Sequence, residues 1–347
     1  MSAMQSEKMR VMPVHKLLLT MSLPAIISMM VQALYNVVDS IFVARIGEQA
    51  LEALSIAFPM QMLIISFGTG LGVGANAVIA RKLGEKKKEQ ATLAAQTGLF
   101  IILITIVIFV FAGAFLAKPF IKAFSTDSAT IAMGAEYLSF VLMFSAPAFV
   151  DLYFGRVFQS MGNMKVPMIG QLAGAITNMI LDPLLIFGIG FPALGVKGAA
   201  IATVIGQIVA MSIGLSFFIF AKQDIKPFFT KSFRLKAGIA GEILKISIPS
   251  ILLKSLNSVA AVLMNVILKA YAYGITILGV YFRLQSFVLM PIFGLMQGAL
   301  PILSYNYGAK QKQRFTNTFK LALFSAFGLL LIGIILFQVI PEPLMRL

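Results

Sequence analysis

The sequence predicts an all-α integral membrane protein made of two related helical bundles, a complete first bundle of six helices and a partial second bundle of three. Three observations lead to this prediction. The composition is too apolar for a soluble domain, nine apolar runs are each long enough to cross a bilayer, and a motif in the first run recurs about 225 residues later. A repeat this long in such an apolar chain is typical of membrane proteins with two homologous lobes.

The composition excludes several classes of protein. Hydrophobic residues make up 59% of the chain and charged residues 12%, whereas a soluble domain is typically about 45–50% apolar. The chain has no Cys and one His, His15, which argues against disulfides, thiolate chemistry and a His-based metal or catalytic site. We attribute the net charge of +15 to the basic loops of a membrane topology, and we predict the lipid bilayer, not nucleic acid, as a partner.

Nine apolar runs supply the predicted spans, because about 20 residues of helix cross a hydrocarbon core of about 30 Å. They fall near residues 17–43, 51–79, 91–116, 131–155, 166–189, 197–221, 240–268, 274–303 and 316–340. A stretch rich in Lys and Arg separates the sixth run from the seventh. The predicted organisation is a six-helix bundle over 1–221, a basic linker over 222–241 and a partial three-helix bundle over 242–347.

Lys and Arg are distributed unevenly between the two sides of this topology. The amino terminus and the even-numbered loops together hold 20 of them, whereas the opposite side holds six. Because cytoplasmic loops are enriched in basic residues, the amino terminus is predicted to be cytoplasmic. The first apolar stretch is too long for a cleavable signal and lacks a small-residue cleavage site, so we expect it to remain as a span.

An internal repeat relates the two bundles. The recurring residues are Ser22 and Pro24, found again as Ser247 and Pro249 at an offset of 225, and Gly70, Gly74 and Gly84, found again as Gly294, Gly298 and Gly308 at an offset of 224. Residues from about 124 to 222 have no counterpart before the chain ends. The second lobe is therefore predicted to be partial.

Two carboxylates are predicted to lie inside the membrane, Asp39 in the first span and Asp182 in the fifth. A charge at the bilayer centre costs about 2.5–3.5 kcal/mol on insertion scales, so such groups usually mark ion or proton pathways. Both spans run outward, which puts the two carboxylates at a similar depth. Asn178 lies one turn before Asp182 on the same face, and Thr203 reaches a similar level. These oxygens suit Na⁺ and equally a proton-accepting site.

A structural role is the alternative for several of these charges. Asp182 lies near a helix end, where a carboxylate can instead cap or snorkel. Asp151 and Arg156, near the inner end of the fourth span, are expected to form an interfacial charge pair. Lys254 and Arg283 are cations inside the spans of the second lobe, and they either face the dipoles of neighbouring helices or line a central cavity.

Six segments of the chain resemble the multidrug and toxic compound extrusion (MATE) transporters, most closely their bacterial MepA-like branch. The segments are Ser22-Leu23-Pro24, Tyr35-Asn36-Val37-Val38-Asp39, the end of the second span from Gly74 to Gly84, Asn178 to Pro183, Gly198 to Thr203, and Phe282 to Phe287. The resemblance runs from about residue 15 to the end of the chain. The motifs are specific as a set, although each is loose by itself.

The resemblance implies two six-helix bundles around a central cleft, from which small cationic organic compounds are exported in exchange for H⁺ or Na⁺. It implies ion coupling at Asp39, Asn178, Asp182, Ala199 and Thr203. The residues expected to line the substrate cavity are Tyr35, Asn36, Arg283 and Gln285. The implied location is the bacterial cytoplasmic membrane, with no cofactor besides the coupling ion. Family members carry twelve helices, so we expect a carboxy-terminally truncated member, of undetermined oligomeric state.

Two other functions compete with this interpretation. A lipid-linked oligosaccharide flippase of the same superfamily would keep the fold, but its cleft should hold several cations for a pyrophosphate, and the sequence offers only Lys254, Arg283 and Lys269. An inactive fragment is the other alternative, since the chain ends just after the ninth span. An enzyme is not predicted, because the sequence has no nucleophile–base pair or metal cluster with recognisable spacing.

Overall fold

The computed structural model describes residues 3–190, 192–229, 235–268 and 274–339, and every regular element in these ranges is a helix. The helices are α1 (Ala3–Val11), α2 (Val14–Ala44), α3 (Glu48–Gly84), α4 (Lys88–Phe115), α5 (Ala117–Lys122), α6 (Ser128–Met143), α7 (Ala146–Ser160), α8 (Lys165–Phe187), α9 (Gly195–Phe220), α10 (Ala237–Leu268), α11 (Gly274–Gly308) and α12 (Lys312–Val339).

Seven of these helices are long and apolar enough to cross a membrane, or eight if the bent pair α6 and α7 counts as one span. This count covers the described residues. Helix α10, with 32 residues, extends about 48 Å at 1.5 Å per residue. The chain is a multi-pass membrane protein, as the sequence predicts. Its division into a six-helix lobe and a three-helix lobe stays a prediction.

The predicted fourth span differs from the structure. The sequence predicts one helix over 131–155, whereas the structure has α6 and α7 with an angle of 46° between them. The break falls at Phe144 and Ser145, and Pro147 lies in the first turn of the second helix. Proline is favoured in the first turn of a helix, because N–H groups there have no acceptor within the helix. Further along the helix its missing N–H would remove a hydrogen bond. The helix therefore stops and begins again at this site.

Local residues define other helix ends. Asp127 caps α6 by accepting a hydrogen bond of 2.8 Å from the Thr130 N–H. This hydrogen bond holds the pKa of Asp127 below its usual range, because it stabilises the ionised carboxylate. Helix α8 ends at Gly188, which has a left-handed backbone with φ 75° that favours glycine. The loops are thus fixed by short-range chemistry.

The two copies of the repeat pack against each other. Helix α11 crosses α2 where a Cβ on Gly298 would lie 2.7 Å from Ser22 Cα, and one on Gly294 would lie 2.6 Å from the Ile26 backbone nitrogen. Helix α3 crosses α10 in the same way, since a Cβ on Gly74 would lie 2.5 Å from the Ile243 carbonyl oxygen. Each glycine helix of one copy therefore contacts the Ser-x-Pro helix of the other copy.

The serines of the repeated motif reinforce these crossings. The Ser22 hydroxyl donates to the Leu295 carbonyl at 3.4 Å, and the Ser247 hydroxyl donates to the Leu71 carbonyl at 3.5 Å. Both serines are buried. Because the two hydrogen bonds are related by the repeat offset, the sequence repeat corresponds to a pseudo-twofold relation between the four helices.

The repeat extends to the turns after α3 and α11. Lys86 and Lys310, which are equivalent in the repeat, both have positive φ, 61° and 55°. Each turn closes with a hydrogen bond back to the helix, from the Lys87 N–H to the Lys82 carbonyl and from the Gln311 N–H to the Asn306 carbonyl. Non-glycine residues seldom adopt this conformation. Its presence twice at equivalent positions shows that the two turns share one geometry.

We call the end of the molecule that contains these two turns the basic end. Here the Arg81 guanidinium forms an ion pair with Glu242 of α10, and Gly84 and Gly308 each approach a carbonyl of the other copy's helix. Helix α1 lies across the same end, where Arg314 donates to the carbonyls of Met9 and Met12 at 3.1 and 2.7 Å. The two copies are therefore in tight contact at the basic end.

The close crossing of α2 and α11 predicts that a larger side chain placed there will lower the stability of the protein. Gly298→Val would push a side chain into the Ser22 backbone, and overpacking of this kind costs about 1–3 kcal/mol. We expect a lower melting temperature of the purified protein in detergent. Gly328→Val is the matched control, because Gly328 lies inside α12 with no atom within 4 Å of its missing Cβ. Equal melting temperatures for the two variants would contradict the described crossing.

Candidate functional site

A seam of small residues brings α8 and α9 together. A Cβ on Gly174 would lie 2.7 Å from the Gly206 carbonyl oxygen, and a Cβ on Gly206 would lie 2.7 Å from the Gly174 carbonyl oxygen. Further along, a Cβ on Gly198 would lie 2.5 Å from the Leu185 carbonyl oxygen. Backbone contact this close is possible only with glycine, and it is the usual way in which membrane helices pack. Side chains between these glycines must therefore be enclosed by both helices.

Asn178, Asp182 and Thr203 lie together in this seam. With one orientation of the amide, Asn178 Nδ2 lies 3.4 Å from Asp182 Oδ1 and 3.4 Å from Thr203 Oγ1. With the amide rotated by 180°, Nδ2 donates to Asp182 Oδ2 at 2.8 Å and Oδ1 accepts from the Thr203 N–H at 3.1 Å. We adopt the rotated orientation, because a 2.8 Å hydrogen bond to a carboxylate is the stronger arrangement.

The site is enclosed by protein. Asp182 is 0% exposed and Asn178 is 3% exposed. Ala199, one turn before Thr203 on α9, is also buried. An ionised carboxylate in such surroundings is stable only with hydrogen bonds or a bound cation. The amide of Asn178 supplies one hydrogen bond, and Asp182 makes a further interaction besides it.

Asp39 lies on α2, but its side chain is outside the part that the structure describes. Its place along the helix follows from two contacts between α2 and α8. Gln171 donates to Gln32, and the rings of Phe42 and Phe187 are 6.3 Å apart. On α2, Asp39 lies seven residues after Gln32 and three residues before Phe42. On α8, Asp182 lies eleven residues after Gln171 and five residues before Phe187.

Both aspartates therefore lie between the same two contacts of α2 with α8. Asp39 follows Gln32 by seven residues, or about two helical turns, so its Cα lies on the same face of α2 as Gln32. Gln32 is the residue that contacts α8. The matched depth of the two carboxylates and the role of Asp39 stay predictions.

The residues predicted for the substrate cavity are described only in part. Tyr35 and Gln285 are half-buried, and each has an interaction with another residue. The side chains of Asn36 and Arg283 lie outside the described residues, as does Lys269. The assignment of these four residues to a cavity stays a prediction.

The predicted charge pair between Asp151 and Arg156 is wrong. No ion pair joins these two residues, both of which the structure describes, because five residues of helix turn their side chains about 140° apart. Asp151 Oδ1 lies against α8, 3.8 Å from where a Cβ on Gly170 would be. Arg156 instead points toward α3, where its Cγ would lie 2.5 Å from a Cβ on Gly72.

Lys254 also contacts α3. Its ammonium donates to the Thr69 hydroxyl at 2.7 Å, so of the two roles that the sequence leaves open, a contact with a neighbouring helix is described. Arg156 and Lys254 come from different copies of the repeat, and they meet one face of α3 within a turn of each other.

The family model described as MatE matches the chain twice, over residues 24–184 and over residues 249–347. The two matches begin 225 residues apart, which is the offset of the repeated Ser-x-Pro motif. The chain belongs to the MATE family. Members of this family are transporters and not enzymes.

Curated relatives agree with this family. The chain is 30% identical over 314 residues to the FAD transporter of Shewanella oneidensis, covering 90% of this chain and 69% of the relative. It is 30% identical over 325 residues to the multidrug export protein MepA of Staphylococcus aureus, again covering 90% and 69%. The MepA-like resemblance is therefore confirmed.

Solved structures show the same fold. A MOP superfamily transporter from Pyrococcus furiosus has a TM-score of 0.91 at 24% identity, covering 99% of this chain and 76% of that one. The MATE multidrug transporter DinF-BH has a TM-score of 0.87 at 33% identity, covering 97% and 75%. The MATE fold predicted from the sequence is therefore confirmed at the level of overall architecture.

Sequence reasoning missed the glycine seam that forms the site. Gly170 and Gly174 are four residues apart on α8, the spacing that permits close packing of membrane helices, and their spacing was a usable signal. Gly206 on α9 has no glycine four residues away, and its neighbours at that spacing are Ala202 and Ala210. Only the structure shows that it faces Gly174.

The seam predicts different effects for the same substitution at two glycines of α9. Gly206→Ala would bring a methyl group within 2.7 Å of the Gly174 carbonyl oxygen and separate Asn178 from Thr203. Gly214→Ala meets no atom closer than the Phe154 side chain at 3.6 Å, so it should be neutral or stabilise the helix by about 1 kcal/mol. We expect melting in detergent to be lower for the first variant alone. A Gly206→Ala variant as stable as Gly214→Ala would contradict the seam.

Proposed function

We propose that this MATE protein is a secondary active multidrug efflux transporter that exports small cationic organic compounds in exchange for H⁺ or Na⁺. The observation that carries the proposal is the enclosure of Asp182 between α8 and α9 with Asn178 and Thr203 beside it. A buried carboxylate with amide and hydroxyl oxygens is suited to take up a small cation or a proton. The family and its multidrug export relatives support the transport part of the proposal.

Ion coupling would follow from competition for negative charge. With Asp39 and Asp182 ionised, the site attracts a cationic compound through the electrostatic field of two carboxylates in a medium of low dielectric. Binding of H⁺ or Na⁺ neutralises this charge and removes the attraction, so the compound is released. Exchange requires that ion and compound each bind two conformations with different affinity. A Na⁺ ion would take its oxygen ligands from Asp39, Asn178, Asp182 and Thr203.

We further propose the membrane orientation that the sequence predicts, with the basic end and the amino terminus in the cytoplasm of a bacterial cell. Arg81, Arg314 and helix α1 lie at one end of the molecule, and basic segments are retained on the cytoplasmic side. The tight contact of the two copies at this end would then close the cytoplasmic side of the transporter. Residues 1–221 would form the first lobe, 222–241 the linker and 242–347 part of the second lobe.

The site assignment predicts the effect of neutralising the carboxylates. Asp182→Asn and Asp39→Asn should each abolish ethidium efflux that depends on an ion gradient, because neither amide can exchange a proton or balance a cation. Efflux is measured from drug-sensitive cells with matched expression. Glu89→Gln is the control, since Glu89 is an exposed carboxylate at the start of α4. Unchanged efflux by a well-expressed Asp182→Asn variant would refute the assignment, and collapsing the Na⁺ or H⁺ gradient separately identifies the coupling ion.

A further inference from the structure

Two cations at the contact between the repeat copies have no carboxylate partner among the described residues. Arg156 is 7% exposed on α7, and Lys254 lies on α10. None of the ion pairs in the described part of the chain includes either residue. Asp151, the nearest carboxylate along the chain, lies on the other side of α7 against Gly170. Arg156 is thus a buried cation without an anionic partner, which is expensive, and such residues inside membrane proteins usually mark substrate or ion pathways.

The two cations approach the same place. Lys254 Nζ bonds to Thr69, and Arg156 packs on Gly72, which is three residues further along α3 and therefore on the same face. Two positive charges on one face of the same helical turn repel each other in a medium of low dielectric. An anion between them would remove this repulsion, whereas a cationic compound would add to it.

The surrounding polar groups hold both cations in place and leave donors free. Thr69 donates its own proton to the Ile65 carbonyl at 2.6 Å, so its hydroxyl oxygen is fixed as an acceptor for Lys254. Arg156 Nη1 donates to Gln159 Oε1 at 3.0 Å, and Gln159 in turn donates to Gln297 of α11 at 3.4 Å. A guanidinium carries five N–H donors, of which this hydrogen bond uses one. Lys254 is exposed as a residue, and its ammonium lies at a partly buried hydrogen bond.

We propose that Arg156 and Lys254 form a binding site for the acidic group, a carboxylate or a phosphate, of a transported organic compound. The site differs from the carboxylate site at Asp182 in helices, residues and sign of charge. A guanidinium binds either kind of acidic group through paired hydrogen bonds, and an ammonium adds a point charge. The proposal rests on the transport function proposed above and extends its cargo from cations to compounds that carry an acidic group.

Binding of carboxyfluorescein, an anionic dye, to the purified chain tests this site by fluorescence anisotropy. Arg156→Gln and Lys254→Gln should each raise the Kd at least about tenfold, the factor expected for loss of one charge-assisted hydrogen bond. Arg156→Lys should retain part of the affinity. Lys118→Gln is the matched control, because it removes the same charge from an exposed position on α5 and should leave the Kd unchanged.

Two further measurements separate this proposal from others. Binding of ethidium should not weaken in Arg156→Gln, and Asp182→Asn should bind carboxyfluorescein normally even if it fails to couple efflux. Nanodiscs with and without phosphatidylglycerol distinguish the source of the acidic group. If the lipid weakens binding of the dye, the site binds a lipid phosphate; if dye binding is the same in both nanodiscs, the site binds a soluble compound. Wild-type dye affinity in folded Arg156→Gln and Lys254→Gln variants, or an equal loss in Lys118→Gln, would overturn the proposal.

Discussion

Helices in a bilayer gain little from the hydrophobic effect when they meet, because lipid tails are as apolar as their side chains, so close contact of backbones has to hold them together. In this protein glycine makes that contact possible at each crossing that positions the rest. Gly298 allows α2 to pack closely on α11, and Gly74 allows α10 to pack closely on α3. Gly174 and Gly206 allow the same between α8 and α9. The first two crossings fix the two copies of the repeat against each other. The third encloses the carboxylate site.

The absence of water from the bilayer core also determines where the polar groups lie. A polar side chain inside the membrane requires a partner from another helix, so hydrogen bonds mark the helix contacts that matter most. Asp182 and Asn178 are enclosed between helices of the first copy, whereas Arg156 and Lys254 meet at α3, where the two copies touch. Asp182 and the two cations thus lie at different helix contacts, the first between α8 and α9 and the second on α3.

Particular residues show why parts of the structure were predictable. Asn178 and Asp182 are four residues apart on one helix, and helical periodicity alone places them on one face. The bend between α6 and α7 was not predicted, because residues 131–155 form one apolar run and a membrane helix can keep an internal proline such as Pro147. The charge pair of Asp151 and Arg156 was predicted from nearness in sequence, yet the helix turns the two side chains to different neighbours. Short-range order is encoded locally, while the identity of a neighbouring helix is not.

The sequence by itself determined the membrane-spanning class, the repeat and the family, because hydropathy and motif spacing are properties of the linear chain. It also placed Asp182, Asn178 and Thr203 on helices that could meet. Only the tertiary structure decided that Gly206 faces Gly174, that Ser22 and Ser247 donate across the two copies, and that Arg156 and Lys254 share one face of α3. Those contacts join residues from 32 to 273 positions apart, and they depend on which helices fit together once each backbone is folded.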